Sequence, residues 1–100
     1  MDKYSVKLLE KAYQDLDEIY SYIAHDKLSP ENAKGQTSRI KNAVLGLDTF
    51  PESHQKRTTG KFANKGYRQL VIDNYLAIYR IDKKKKIVYV VTIQYQGKDV

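Results

Sequence analysis

The sequence predicts an α+β fold in which two helices cover one face of an antiparallel sheet. Three observations lead to this prediction. The hydrophobic period changes from two to about 3.6 near residue 11, a Ser-Pro-Glu start divides the helical part in two, and the chain from residue 66 onward is rich in Tyr, Ile and Val. Elements that each carry one apolar face must pack against one another. A chain of 100 residues has room for one core, so we expect a single domain spanning residues 1–100.

The first strand and the first helix are predicted from periodicity. Residues 4–8 alternate apolar and polar side chains at period two, which is typical of a strand. The helix is predicted over residues 11–26, and its apolar face consists of Ala12, Leu16, Ile19, Tyr20 and Ile23. We expect Asp15, Asp17 and Glu18 to point away from that face or to lie near the first turns, where the helix dipole favours carboxylates.

The second helix is predicted over residues 30–48. Ser29 offers a hydroxyl N-cap and Pro30 suits the first helical position. Its apolar positions are Ala33, Ile40, Val44 and Leu47. Phe50 and Pro51 end it, because the residue before a proline avoids the helical conformation. The two helices should form a hairpin that packs on one face of the sheet.

Residues 51–65 are polar and basic, and we expect them to form a mobile loop. Three strands follow, over residues 67–72, 75–81 and 87–95. Asp73 and Asn74 suit a two-residue hairpin turn, and residues 82–86 form a longer turn. The element order is therefore β-α-α-β-β-β. The sheet face opposite the helices should be exposed to solvent.

The positive charge is concentrated in the second half of the chain. Residues 1–50 contain 7 Lys/Arg and 8 Asp/Glu, whereas residues 51–100 contain 11 and 4. This imbalance either serves solubility or attracts nucleic acid, the ribosome or an acidic protein. Without cysteine the chain has no disulfide or thiolate metal site. It also lacks a long apolar run, so we expect a cytoplasmic protein that does not enter the membrane.

Few residues suggest a cofactor or a catalytic group. His25 and His54 have no metal-ligand spacing, and no glycine-rich phosphate loop is present, so we expect neither a metal nor a cofactor. On the open face of the sheet, rigid strands should present Arg68, Arg80 and Tyr95. Each of the three could equally be an ordinary strand residue.

Taken together, these residues resemble the RelE/ParE family of bacterial toxins over nearly the whole chain. The similar positions are Tyr4-x-Val6, Ala12-x-x-Asp15-Leu16-x-x-Ile19-x-x-Tyr22-Ile23, Leu47-x-x-Phe50-Pro51, Tyr67-Arg68, Tyr75-x-x-Ile78-Tyr79-Arg80-Ile81 and Ile93-x-Tyr95-x-x-Lys98-Asp99. The resemblance implies the toxin of a type II toxin–antitoxin, or plasmid-stabilisation, system that inhibits growth. Its expected partner is a cognate antitoxin protein that folds on binding.

The family has two branches with different targets. RelE-like members are mRNA interferases that act on the ribosome, and ParE-like members inhibit DNA gyrase. Metal-free RNA cleavage needs proton transfer to and from the reacting oxygens and cations around the phosphorane. By resemblance Arg68 replaces a family lysine, and Arg80 and Tyr95 are the other catalytic candidates. However, Leu76 stands where RelE-like nucleases usually carry an arginine, and leucine cannot neutralise a phosphorane.

We rank gyrase inhibition slightly ahead of ribosome-dependent mRNA cleavage. A small basic binding protein without toxicity remains a third alternative. In either toxin, the basic residues of the loop and the C-terminus are candidates for contacts to the target or to phosphate. These residues are Lys56, Arg57, Lys61, Lys65 and Lys98.

Overall fold

The structure, a computed structural model, describes residues 3–58 and 60–96. Each element overlaps its predicted range. The strands and helices are β1 (Ser5–Leu8), α1 (Glu10–Ser21), α2 (Pro30–Leu45), β2 (Arg68–Ile72), β3 (Tyr75–Asp82) and β4 (Ile87–Tyr95). A π-helical turn, Tyr22–Asp26, extends α1, and 3-10 turns, Gly46–Asp48 and Pro51–Ser53, follow α2. Within the described residues no helix is long and apolar enough to cross a bilayer.

The four strands form one sheet in the order β1-β4-β3-β2. Strands β2, β3 and β4 form the predicted antiparallel meander, but β1 pairs with β4 in parallel. The sheet is therefore mixed, which corrects the prediction of a purely antiparallel one. The reason lies in the connection. The chain leaves β1 through α1 and returns through α2, so β2 runs in the direction of β1, and the meander then brings β4 parallel to both.

The core lies between the helices and one face of the sheet, which confirms the α+β class. Its buried residues come from α1, α2, the 3-10 turn and the three meander strands. They are Ala12, Leu16, Ile40, Val44, Leu47, Ile72, Ala77, Tyr79, Val88, Val90 and Ile93. Every apolar position predicted for the second helix is buried. On the first helix Ala12 and Leu16 are buried, but Tyr20 is exposed.

Asp15 was predicted to point away from the apolar face or to lie near the first turns of the helix; it lies in the second turn of α1, and it is buried. It is only 5% exposed, and its carboxylate accepts hydrogen bonds from Thr92 Oγ1 at 2.5 Å and from the Ile93 N–H at 3.0 Å. Lys11 also binds it. The reason is that β1 ends at Leu8, opposite Val90, whereas β4 continues to residue 95. Asp15 supplies the acceptor that a longer β1 would have supplied to the outer edge of β4.

Two further details near the helix ends differ from the sequence prediction. Ser29 occupies the N-cap position of α2, but its side chain makes no capping hydrogen bond. Its carbonyl instead accepts the Ala33 N–H at 3.0 Å. The residue before it, Leu28, has φ 53° and is 85% exposed. Backbone geometry rather than a hydroxyl therefore starts this helix.

The basic loop is attached to the sheet rather than separate from it. Its residue Lys56 bridges to Arg68 of β2. Around that bridge, the Arg57 N–H donates to the Tyr67 carbonyl at 2.7 Å, and the Gln69 N–H donates to the Gln55 carbonyl at 2.9 Å. The loop thus covers part of the outer edge of β2.

Candidate functional site

Arg68 lies on the helix side of the sheet, at the edge near the end of α2. It pairs with Tyr79 across β2 and β3, and directly paired residues share a face. Its guanidinium donates to the His54 carbonyl at 2.7 Å. The Tyr79 hydroxyl donates to the Pro51 carbonyl at 2.6 Å, and the His54 ring meets the Tyr79 ring edge-on. Burial raises the pKa of Tyr79 to about 12, although the charge of Arg68 acts in the opposite direction.

Arg80 lies on the other face. It follows Tyr79 directly in β3, and successive side chains of a strand point to opposite faces. Its guanidinium carbon lies 4.2 Å from the centre of the Tyr89 ring, its cross-strand neighbour. The side chain is exposed to solvent. Arg80 is therefore held as a flat cation on a rigid surface.

Tyr95 lies at the far end of the helix side. It pairs with Tyr75, and the two ring centres are 5.7 Å apart in an edge-to-face arrangement. Burial is the main cause that raises the pKa of Tyr75, with smaller contributions from Tyr95 and Tyr22. Tyr95 itself is 58% exposed.

The structure does not bring the three catalytic candidates together. Arg68 sits opposite Tyr79 and Tyr95 opposite Tyr75, so they are separated by four positions of β3, about 13 Å along the strand. Arg80 is on the opposite face. The prediction that all three share the open face is wrong, because the register pairs Arg68 with Tyr79 and not with Arg80.

The face opposite the helices is only partly open. Leu76 is 8% exposed and Ile78 is fully buried, although neither belongs to the helix-side core. Gln69, which pairs with Ile78, accepts a hydrogen bond from Arg57 Nη1 at 2.8 Å. The basic loop thus reaches the open face at this point, which corrects the prediction that the whole face is exposed.

In the part of the chain that the structure describes, the loop cations have no acidic partners. Among the described residues, Lys56, Arg57, Lys61 and Lys65 form no ion pair. The Nε atom of Arg57 is buried without a hydrogen-bond partner there, and Lys61 lies 5.8 Å from the Phe62 ring centre. Lys98 lies outside the described residues. The loop therefore presents positive charge that its own acids do not neutralise.

Sequence reasoning missed a groove between α1 and the end of β4. Its volume is about 610 Å³. Three tyrosines that are distant in the sequence, Tyr22, Tyr75 and Tyr95, line it together with Ile19 and Lys27. We call it the tyrosine groove. No local pattern indicates it, because it depends on the register of β3 with β4 and on the position of α1. No group of three or more metal-binding side chains occurs in residues 3–58 and 60–96.

Comparison with known proteins identifies the family. Residues 6–100 match the family model described as the ParE toxin of the type II toxin–antitoxin system parDE. The chain belongs to the ParE toxin family. No protein of curated function is similar enough in sequence to count as a match. This membership confirms the RelE/ParE resemblance.

Solved structures of ParE and RelE toxins share the fold. The chromosomal ParDE system from P. aeruginosa matches with a TM-score of 0.78 and 24% identity, over 93% of this chain and 96% of that one. The RelBE2 toxin–antitoxin complex from Mycobacterium tuberculosis gives 0.69 and 18%, over 98% and 97%. A free E. coli RelE toxin mutant gives 0.65 and 13%, over 95% and 85%. At these identities the likeness concerns the fold.

Proposed function

We propose that this ParE-family toxin arrests growth by binding DNA gyrase in the cytoplasm and that a cognate antitoxin protein neutralises it. The observation that carries the choice of gyrase over mRNA cleavage is the separation of Arg68, Arg80 and Tyr95. The solved relatives described as toxin–antitoxin complexes support the antitoxin as a partner.

RNA cleavage places strict demands on geometry. A general base, a general acid and a cation must surround one phosphate within hydrogen-bonding reach. Arg68 is held on the His54 carbonyl and Tyr95 on the Tyr75 ring, at backbone positions about 13 Å apart along the strand direction, and Arg80 lies on the opposite face, so the three side chains do not surround one phosphate. Leu76, which replaces the family arginine, is buried and apolar. These features favour a toxin that acts by binding.

The surface suits a large macromolecular target. The Arg80–Tyr89 stack combines two residue types that often dominate the energy of protein interfaces. The unpaired loop cations Lys56, Lys61 and Lys65 would favour contacts with acidic protein surfaces or with DNA bound to the enzyme. Such contacts weaken as salt rises.

A specific observation favours mRNA cleavage as a second candidate. Arg68 donates to the backbone carbonyl of His54, and the His54 ring meets Tyr79, the cross-strand partner of Arg68, so one cation and one imidazole both border Tyr79 at the edge of the sheet. The pair could act as a cation and a general acid or base. In this alternative mechanism Tyr95 has no part in the chemistry.

Two assays separate the candidates. Purified toxin should abolish supercoiling by purified gyrase while primer extension on translating ribosomes shows no new cuts. Codon-positioned cuts that disappear in Arg68→Ala or His54→Ala, with supercoiling intact, would reverse the assignment. For the cationic surface, the double variant Lys61→Ala/Lys65→Ala should inhibit gyrase less than Lys34→Ala/Lys41→Ala, which removes the same charge from α2.

A further inference from the structure

A row of cations and aromatic rings crosses the open face of the sheet near the β3–β4 turn. Lys7 of β1 pairs with Tyr89 of β4, and Tyr89 pairs with Arg80 of β3. Residues paired across neighbouring strands share a face, and both Lys7 and Arg80 are exposed. The Arg80 guanidinium carbon lies 4.2 Å from the centre of the Tyr89 ring. Three strands therefore place a lysine, an aromatic ring and an arginine on that ring side by side.

Two further rings continue the row at β2. Tyr67 directly precedes this strand, and its carbonyl and the Gln69 N–H both bond to the basic loop, so the strand alternation extends to Tyr67. Continued by one residue, the register of β2 with β3 places Tyr67 opposite Arg80. The Phe62 ring of the loop meets the Tyr67 ring, with centres 4.9 Å apart. The row thus crosses the width of the sheet, about 14 Å for four strands.

The charges on this face favour an anionic ligand. The four strands contain one acidic residue, Asp82, and its carboxylate accepts the Lys85 N–H at 3.0 Å. The turn after β3 adds the exposed side chains of Lys84 and Lys85 at the same end of the sheet. A chain of phosphates that crosses the row therefore meets several cations and, within the strands, only one acid.

We infer that Lys7, Tyr67, Arg80 and Tyr89, which we call the arginine–tyrosine platform, bind a single strand of the DNA that gyrase holds. Four-stranded sheets bind single strands by stacking unpaired bases on rings and guanidinium planes, while cations contact the phosphates. Arg80 suits this role, because the Tyr89 ring holds it and it remains exposed to solvent. The inference rests on the proposed function in taking gyrase as the source of the strand.

Duplex DNA and acidic peptides fit the platform less well. The bases of a duplex are stacked on one another, and a four-stranded sheet backed by two helices is too wide for either groove. An acidic peptide would pair with the two cations but would leave the rings unused. The alternation of rings and cations across the strands therefore favours a ligand that carries both flat bases and phosphates.

Fluorescence anisotropy with a labelled oligonucleotide of about eight deoxythymidines tests the platform on the free toxin. This strand should bind at least about tenfold more tightly than a hairpin duplex with the same number of phosphates. Tyr89→Leu should weaken binding about tenfold, and so should Arg80→Lys, which keeps the charge and removes the plane. The matched control Lys41→Ala removes one exposed charge from α2 and should change the affinity little. Equal affinities of the parent and Arg80→Lys, or displacement by polyglutamate as readily as by unlabelled strand, would overturn the inference.

Salt dependence separates the phosphate contacts from the stacking. Lys7→Ala should reduce the slope of log affinity against log salt by about 0.7, because one phosphate contact fewer releases counterions. Tyr89→Leu should weaken binding and leave that slope unchanged. A slope that falls in Tyr89→Leu and stays the same in Lys7→Ala would contradict the assigned roles.

The supercoiling assay decides whether gyrase supplies the strand. Arg80→Lys should inhibit gyrase less than the parent, whereas full inhibition by a variant with weakened strand binding would overturn the inference. A toxin that binds no single strand yet inhibits gyrase would also overturn it and leave the proposed function intact. Strand binding without gyrase inhibition would overturn both. An RNA strand that binds more than about tenfold more tightly than the DNA strand would exclude DNA as the ligand.

Discussion

The buried carboxylate of Asp15 should be one of the larger single contributors to stability. It joins α1 to the uncovered edge of β4 through Thr92 Oγ1 and the Ile93 N–H. Replacing it by alanine leaves two donors without an acceptor in a region from which water is largely excluded. We therefore expect Asp15→Ala to lower the free energy of unfolding more than any surface substitution on the same helix.

The magnitude follows from the two hydrogen bonds. A hydrogen bond to a charged group contributes about 1.5–3 kcal/mol, and an unsatisfied buried donor costs about 1–3 kcal/mol. The exposed ion pair with Lys11 adds little, and removing a buried carboxylate recovers part of its desolvation cost. The net expectation is a loss of about 3 kcal/mol, a large share of the roughly 5–15 kcal/mol that stabilises a typical domain.

Urea denaturation provides the assay. Asp15→Ala should move the midpoint to lower urea without changing the slope. Thr92→Val, which deletes one donor while keeping the shape, should cost about 1 kcal/mol, and the double variant should show coupling of about 1 kcal/mol or more. The exposed Asp17→Ala is the matched control, expected within about 0.5 kcal/mol of the parent. A loss below about 1 kcal/mol for Asp15→Ala, or strict additivity, would refute the reasoning.

Three further predictions concern other described contacts. Burial raises the pKa of Tyr79 from 10.0 to about 12. The protonated hydroxyl therefore contributes stability that is fully present below pH 10 and is lost as the pH rises through the folded value. Urea midpoints at alkaline pH should fall for this reason, and in Tyr79→Phe this part of the alkaline fall should be absent. A hydrogen bond from Arg39 is the main cause that lowers the pKa of Asp73 below 3.8, so the stability it supplies is present above that pH and is lost as the pH falls through the folded value. Acid unfolding of Asp73→Asn, which keeps a residue that tolerates the left-handed turn, should lack this component. Arg80→Ala removes the stack on Tyr89 and should change the thermal midpoint little, since an exposed cation–π pair contributes about 0.5–1 kcal/mol, yet it should reduce growth arrest if that face contacts the target.

The order of elements could be predicted from the sequence because its signals are local. The spacing of Ala12 and Leu16 marks the buried stripe of α1, and Ile40 and Val44 mark that of α2. The two-residue turn at Asp73 was also predicted correctly, because aspartate tolerates the φ of 54° that this turn requires. Such patterns involve neighbours within one or two turns of the chain.

The site could not be predicted as well, because it depends on the register of distant segments. Pairing with Tyr79 decides the face of Arg68, and no pattern around Arg68 contains that information. Asp15 is buried because β1 ends opposite Val90, whereas β4 continues for five more residues, to residue 95. A carboxylate on a helix usually faces solvent. Here the uncovered edge of β4 beside the helix reverses that expectation, and no pattern near Asp15 in the sequence indicates such an edge.

The position of β4 in the sheet also bears on how the toxin is made. Among the described residues this strand comes last in sequence, yet it lies between β1 and β3. A nascent chain therefore cannot pair its first strand until residues 87–90 have been synthesised. Premature stop codons or frameshifts ahead of that point leave β1 without its neighbour, so a truncated product should not fold and should not harm the cell.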